Sequence, residues 1–275
     1  MKKILLPTDF TAVANNAFVH ALEMANHLDA KLLLLHTYEL PIVDNQFFPQ
    51  NYQTIFDSLE MANFERFKDL MPQLHAIAEE RKLNHIDFSH IIMDGDLVYN
   101  IKECVQNEGI DLIVMGTSGA SGWKELFLGT NTGDVITSVT VPVLCVPAAA
   151  DYSYIKNIGF TTRFREKDKE SLWKTIDIAK KNNAKVKCLY VKTAFSDVEE
   201  QEIEDWRVTF KNEPVQFFIV EDDNVMETIL DYITSQEIDV LTIVTHKRNF
   251  FVSLFESSLA EKMTNRSEIP VLVLH

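Results

Sequence analysis

Gly116, Gly119 and Gly129, the last followed at once by Thr130 and Asn131, are the residues whose types and spacing most directly suggest chemistry. They lie in the stretch DLIVMGTSGASGWKELFLGTN, from Asp111 to Asn131. The apolar run Leu112 to Met115 ends in Gly116, a small polar loop comes next, and nine residues separate Gly119 from Gly129. Physically this is a buried strand entering a glycine loop and then a helix start rich in hydroxyl and amide groups. Backbone N–H groups in such a loop, backed by a helix N-terminus, make an anion site, and phosphate is the usual anion. Glycine suits it because a Cβ would hold the backbone off a phosphate and disfavour positive φ. A plain strand-to-helix connection also uses turn residues. Ser118, Ser121, Thr130 and Asn131 add the polar groups that favour a phosphate loop over that plainer reading.

The elements that must position this loop alternate along the chain. Lys3 to Leu6 reads as a strand closed by Pro7-Thr8-Asp9, followed by a helical pattern at Ala14, Ala17, Phe18, Ala21, Leu22, Met24, Ala25 and Leu28. Lys31 to His36 is the continuous apolar run of a strand buried on both faces. A long helix is expected from about Gln53 to Lys82, interrupted or kinked at Pro72. A strand at Asp87 to Met93, the turn Asp94-Gly95-Asp96 and a helix from Val98 to Asn107 come next. The strand before the glycine loop, a helix from Thr130 to Ser138 and a strand at Val141 to Val146 complete an α/β unit with a mainly parallel sheet.

The second half repeats this order. Ile158 to Thr161 with Thr162-Arg163-Phe164 matches Ile4 to Pro7 with Thr8-Asp9-Phe10 at an offset of 154 residues. Further on the offset is 128: Ile238-Asp239 matches Ile110-Asp111, and Ile269-Pro270-Val271-Leu272 matches Val141-Pro142-Val143-Leu144. The fall in offset shortens the second copy where the first has its long insert. Two homologous domains are expected, 1–148 and 152–275, linked by Ala148 to Asp151.

Composition bounds the function. A hydrophobic content of 46% and a charged content of 24% belong to a soluble globular protein. No run approaches the roughly 18 apolar residues that span a bilayer, and Pro7 and Asp9 cut the first apolar segment too short for a signal peptide. The expected location is the cytoplasm, without membrane attachment. Cys104, Cys145 and Cys188 are odd in number and widely spaced, so buried thiols are expected and neither a disulfide framework nor a metal site. The net charge of −15 opposes nucleic-acid binding. Residues 1–150 carry 9 Lys/Arg against 19 Asp/Glu, so a nucleotide there must rely on local backbone donors and a metal ion.

The chain resembles the universal stress protein family in a tandem two-domain form, over essentially its whole length. The most specific signal is G-x2-G-x9-G-[ST]-N, met by Gly116, Gly119, Gly129, Thr130 and Asn131. The opening Pro7-Thr8-Asp9 and the closing V-P-V-L-x-V-P, Val141 to Pro147, support it. Neither a P-loop nor the dinucleotide fingerprint fits. The resemblance implies two Rossmann-like domains of the adenine-nucleotide-binding type, each a five-stranded parallel sheet flanked by helices. Ligands of such sheets sit beyond the carboxyl ends of the strands. It implies ATP, with magnesium, or another adenine nucleotide in the first domain. Pro7, Thr8 and Asp9 would lie near the adenosine, with Asp9 accepting from a ribose hydroxyl or the base. Thr37 and Met115 would line the adenine pocket, with Gly95-Asp96 as a wall. Gly116, Gly119, Gly129, Thr130 and Asn131 would hold the phosphates. The plainer role for Asp9 is a helix N-cap, and for His36 a satisfied core histidine. Trp123, Leu126, Phe127 and Leu128, and the insert aromatics Phe47, Phe48, Tyr52, Phe56, Phe64 and Phe67, are expected to cover the domain's own core, with a partner surface and, for the Gln46–Lys82 insert, a docking arm as the alternatives.

In the second copy Val244, Lys247 and Ser257 replace the three glycines, Ser258 and Leu259 replace Thr130 and Asn131, and Arg163 replaces Asp9. ATP binding in the family manner is not expected there. Arg163, His246, Lys247 and Arg248 form a basic group read as a solvated loop, Thr245 to Asn249, with an anion or an acidic partner as the functional alternative. The family's paired last strands imply an intrachain pseudo-dimer through Val141–Val146 and Val271–Leu274, and a homodimer is a further expectation. The function expected is ATP binding with a regulatory role in the stress response. No general base or loop arginine is evident, so no catalytic residue is assigned and at most weak ATP hydrolysis is expected. A slow ATPase and a scaffold that binds no nucleotide are the alternatives.

Overall fold

A computed structural model describes residues 2–39, 52–117, 130–245 and 269–275. They fall into two compact units, Met1–Met115 and Gly116–His275.

The first unit runs β1 (Lys2–Pro7), α1 (Ala12–Leu28), β2 (Ala30–Tyr38), α2 (Tyr52–Glu80), β3 (Phe88–Asp94), α3 (Leu97–Glu108) and β4 (Leu112–Thr117), whose last two residues cross the unit boundary. The strands lie in the order β3-β2-β1-β4, and the three pairings are parallel. The apolar runs become the central strands because both faces are covered: Leu5, Leu6, Leu34 and Leu35 have no solvent exposure. Burying each such side chain contributes about 1.5–3 kcal/mol. Of the predicted stripe of α1, Ala14, Ala17, Phe18, Ala21, Leu22 and Ala25 are buried, while Met24 and Leu28 at its margin are half-buried. Of the two outcomes expected at Pro72, a break or a kink, the break is absent, because α2 is continuous through it. The buried side chains Phe67, Leu74 and Ala78, on both sides of the proline, hold the helix in place against the loss of one backbone donor.

The second unit runs α4 (Thr130–Ser138), β5 (Val143–Pro147), β6 (Asn157–Thr161), α5 (Glu166–Lys181), β7 (Lys185–Lys192), α6 (Glu200–Thr209), β8 (Val215–Glu221), α7 (Val225–Ser235), β9 (Val240–Val244) and β10 (Val271–Leu274). Its strand order is β5-β10-β9-β6-β7-β8. The five strands from β10 to β8 are mutually parallel. β5 joins them antiparallel, with Leu272 opposite Leu144 and Val271 opposite Cys145. The expected pairing of the two last strands is therefore present. It covers an apolar edge that would otherwise be open to other chains. One side of the sheet is filled by Phe160, Phe164, Leu172, Ile176, Val186, Trp206 and Phe210. Gly159, in mid-strand, is a close-approach position: a Cβ there would come 2.9 Å from Ile238 Cγ2.

Candidate functional site

The ends of β1, β2 and β4 are brought level by strand register. Pro7 sits beside Leu35, and the pairing of Ile4 with Leu112 and Leu5 with Ile113, carried forward two residues, sets Pro7 level with Met115. Thr37 lies two residues further along β2, half-buried and opposite Met93 of β3.

Thr8 ends the strand and shapes the turn into α1. Its N–H donates to the Leu35 carbonyl at 2.8 Å, and its buried hydroxyl accepts from the Phe10 N–H at 3.1 Å. The turn places Phe10 at φ 61°, a left-handed conformation that costs a bulky residue free energy. Packing offsets this, since the Phe10 ring is buried against Phe67 and His36 at centroid distances of 5.4 and 5.6 Å. The half-buried His36 donates its Nδ1–H to the Thr8 carbonyl at 2.8 Å, which ties the end of β2 to this turn.

Asp9 stays exposed on the outside of the turn. Its Oδ1 accepts from the Thr11 N–H at 3.0 Å and from the Thr11 hydroxyl at 2.7 Å. Thr11, not Asp9, is the N-cap of α1, accepting from the Ala14 N–H at 3.3 Å. Asp9 thus steadies the cap from further out than the plain capping role would put it.

At the neighbouring strand end, Gly95 takes φ 101° and its N–H donates to the Tyr38 carbonyl at 2.9 Å. Asp96 caps α3 by accepting from the Tyr99 N–H at 2.8 Å, and the buried Asn100 amide donates to the Asp94 carbonyl at 3.0 Å. This wall is firmly braced. Burial first, then the Glu60 and Asp94 carboxylates, raise the Tyr38 phenol above its usual value.

The predicted phosphate residues are only partly within the described residues. Met115 is buried and Gly116 half-buried on β4. Thr130 and Asn131 open α4, with Asn131 exposed. Gly119 and Gly129 lie outside the described residues, as do Ser118, Ser121, Trp123, Leu126, Phe127 and Leu128. Of the insert aromatics, Phe67 is buried and Phe64 is exposed, while Phe47 and Phe48 lie outside the described residues. The three cysteines are free and buried, and burial raises all three thiols, that of Cys145 to about 12. Among the described residues no group of His, Cys, Asp and Glu could hold a metal ion.

The second unit repeats the turn with different chemistry. The Thr162 N–H donates to the Leu189 carbonyl at 2.9 Å, and the Thr162 hydroxyl accepts from the Phe164 N–H at 2.8 Å. Phe164 takes φ 55° and packs against Tyr190 and Trp206. Arg163 stands where Asp9 stood. A carboxylate that sequence reasoning missed, the fully buried Asp168 in the first turn of α5, serves the turn instead. Its Oδ2 accepts from the Arg163 N–H at 2.8 Å, the Thr162 hydroxyl at 3.1 Å and the Arg165 N–H at 3.3 Å. An acidic residue three positions into a predicted helix was the signal that could have found it. Next to it the Arg165 guanidinium binds Asp197 at 2.6 Å, which lowers the Asp197 carboxyl and raises Arg165. Of the basic loop, the Thr245 N–H donates to the Leu274 carbonyl at 2.9 Å, while His246, Lys247 and Arg248 lie outside the described residues. Among the described residues no helix is long and apolar enough to cross a membrane.

Comparison with known proteins agrees with the duplication. The model of the universal stress protein family matches residues 1–147 and again 155–275. A universal stress protein of Thermus aquaticus is 31% identical over 145 residues, covering 53% of this chain and 98% of its own. One from Methanocaldococcus jannaschii is 29% identical over 157 residues, covering 53% of this chain and 94% of its own. Each of these relatives corresponds in length to about half of the present chain. Among solved structures, a universal stress protein from Archaeoglobus fulgidus superposes with a TM-score of 0.75 at 17% identity, covering 99% of this chain and 97% of its own. That last likeness concerns the fold alone. With the family model matched twice over nearly the whole length, the chain belongs to the universal stress protein family and carries two copies of its domain in tandem.

Proposed function

We propose that the first copy binds an adenine nucleotide, ATP with magnesium, and that the protein serves a regulatory role in a cytoplasmic stress response. The observation that carries this reading is the Pro7-Thr8-Asp9 turn. It holds an exposed carboxylate in fixed orientation at the strand end that is level with Met115, just before the glycine motif. An ionised carboxylate has about four lone-pair sites, so the two bonds to Thr11 leave capacity for a ribose hydroxyl or the exocyclic amine of adenine. Thr37 at the end of β2 and the apolar Met115 suit the base. The family motif assigns the phosphates to Gly116, Gly119, Gly129, Thr130 and Asn131. Magnesium is held by the phosphates and water in such sites, so it requires no carboxylate cluster from the protein. No described residue supplies an evident general base, and the reading is binding without catalysis.

The second copy acts as the partner of the first within one chain, a reading supported by the antiparallel pairing of β5 with β10. Isothermal titration of ATP with magnesium into the wild type, Asp9→Arg and Gly119→Lys tests the site, since both substitutions import the second copy's residues into the first. Affinity is expected to fall at least tenfold in each. Unchanged affinity in both variants would sink the assignment.

A further inference from the structure

We infer that the second copy carries a ligand site of its own, for a neutral one- or two-ring compound with a hydrogen-bond acceptor and not for a nucleotide. A cavity of about 260 Å³ opens at the carboxyl ends of β6, β7 and β9, against the segment 193–198 and α7. That volume stands just under the roughly 300–1,000 Å³ of ordinary small-molecule sites. It suits a compact ring compound and leaves little room for a nucleoside triphosphate.

The walls set the body of the ligand. Leu189, Val191, Val225, Ile229, Ile243 and Val244 supply an apolar lining. Val244 aligns with Gly116 of the first copy, so methyl groups stand where the family motif has bare backbone. A phosphate would lose hydration there without gaining donors, whereas a ring gains a dry surface. Phe195, 94% exposed, adds an aromatic face at the mouth. Its segment is tied down, because the Thr193 N–H donates to Ser196 Oγ and the Ala194 N–H to Asp223, both at 2.8 Å.

The charged groups beside the cavity are spent on one another. Arg163 and Asp197 lie in the lining. The Arg165 guanidinium holds both Asp197 oxygens at 2.6 Å, and Arg163 has a partner of its own. Arg165, raised first by its bond to Asp197, also feels the charges of Glu202 and Asp168. With Asp223, four carboxylates stand beside two guanidiniums. An anion entering here would meet the carboxylates and a cation the guanidiniums. Either would also give up its hydration to an apolar wall. The opening therefore selects against charge of both signs.

A buried hydroxyl sets the polar end of the ligand. Of the hydroxyls in the lining, that of Thr162 is bonded to Asp168 at 3.1 Å, that of Thr193 to the Phe195 N–H at 3.3 Å and that of Ser196 to the Thr193 N–H at 2.8 Å. Tyr190 is also in the lining and only 3% exposed, yet its hydroxyl has no hydrogen-bond partner among the described residues. At the offset of 154 residues Tyr190 stands where the first copy has His36, whose ring is bonded to the Thr8 carbonyl. The two rings pack alike: Phe164 meets Tyr190 at 5.2 Å as Phe10 meets His36 at 5.6 Å. The phenol thus keeps the packing without the bond. An acceptor on a bound ligand accounts for a buried hydroxyl in that condition.

The site stands independently of the nucleotide reading of the first copy, and the test separates them. The full-length chain is titrated calorimetrically with coumarin, a neutral two-ring lactone, and with coumarin-3-carboxylate, the same rings bearing an anion. Each titration is run with and without saturating ATP and magnesium. Coumarin is expected to bind with a Kd of about 1 mM or below, at least about tenfold more tightly than the carboxylate and without competition from ATP. Tyr190→Phe should weaken coumarin about fivefold, as loss of one hydrogen bond predicts. Ile229→Trp, which fills the cavity, should abolish binding. In isotope-labelled wild type, coumarin should shift the methyl resonances of Ile229, Ile243 and Val244, which decides the location should Ile229→Trp fail to fold. Absence of saturable coumarin binding overturns the inference, as do competition by ATP, binding retained in folded Ile229→Trp, or methyl resonances that stay unmoved. Equal affinity for the carboxylate overturns the neutral class. Unchanged affinity in Tyr190→Phe overturns the bond to its hydroxyl.

Discussion

After β1 the chain passes through Thr8 and reverses at Phe10; after β6 it passes through Thr162 and reverses at Phe164. In both copies the threonine N–H reaches the neighbouring strand, its hydroxyl accepts from the phenylalanine N–H, and the phenylalanine is left-handed and buried. Around this shared backbone the carboxylate has changed place. In the first copy it is Asp9, exposed on the turn; in the second it is Asp168, fully buried, on the first turn of the following helix. By the offset of 154 residues the first copy has Ala14 at that helical position. One carboxylate faces outward where a ligand can reach it, and the other is consumed by the protein's own N–H groups. The turn is thus a property of the fold, and the outward charge, which the turn does not require, belongs to the site proposed above.

The largest effect expected from this contrast is on stability in the second copy. Asp168→Ala removes the acceptor of two backbone N–H groups and a hydroxyl in a dry setting, and should cost about 3 kcal/mol or more in urea unfolding. A loss below about 1 kcal/mol would show that water replaces the carboxylate and that the burial of Asp168 is incidental.

A smaller effect separates the two last strands, in which Cys145 of β5 aligns with Val273 of β10. Because the folded thiol of Cys145 is raised to about 12 from an ordinary 9.0, the folded state keeps its proton where the unfolded chain loses it. Its contribution is complete below pH 9 and declines as pH rises from 9 toward 12, by about 1.4 kcal/mol per pH unit. Between pH 8 and pH 10.5 the wild type should therefore lose about 2 kcal/mol more than Cys145→Val. Parallel stability curves for the two proteins would contradict this.

The smallest stability effect belongs to Asp9. Asp9→Ala removes only exposed bonds to Thr11 and should cost under about 1 kcal/mol, while ATP affinity falls at least tenfold. Were the costs of Asp9→Ala and Asp168→Ala equal, the division between a ligand carboxylate and a structural one would fail.

The fold was legible where residues repeat a period or a punctuation mark. The continuous apolar runs of β1, β2 and β4, the alanine stripe of α1 and the turn at Gly95 all lie where sequence reasoning set them, within a residue or two. The repeated Ile-Asp pair also has a plain cause. Asp111 accepts from the Lys3 N–H at 2.8 Å, and Asp239 accepts from the Lys156 and Asn157 N–H groups at 2.7 and 2.8 Å, fastening the start of the first strand in each copy. Pro72 does not break α2 because burial along the helix outweighs the loss of one backbone donor. Asp168 carried only the general signal of an acidic residue in the first turn of a helix, because its role in the turn before that helix has no counterpart in the first copy.

The pairing of β5 with β10 has a further consequence. A protein that completes its sheet with a strand from another chain unfolds at a temperature that depends on its concentration, through mass action. Here both strands belong to one polypeptide, so the encounter is intramolecular and its effective concentration is set by the chain itself. The stability of this seam is therefore insulated from how much of the protein a cell holds, and dilution leaves it intact.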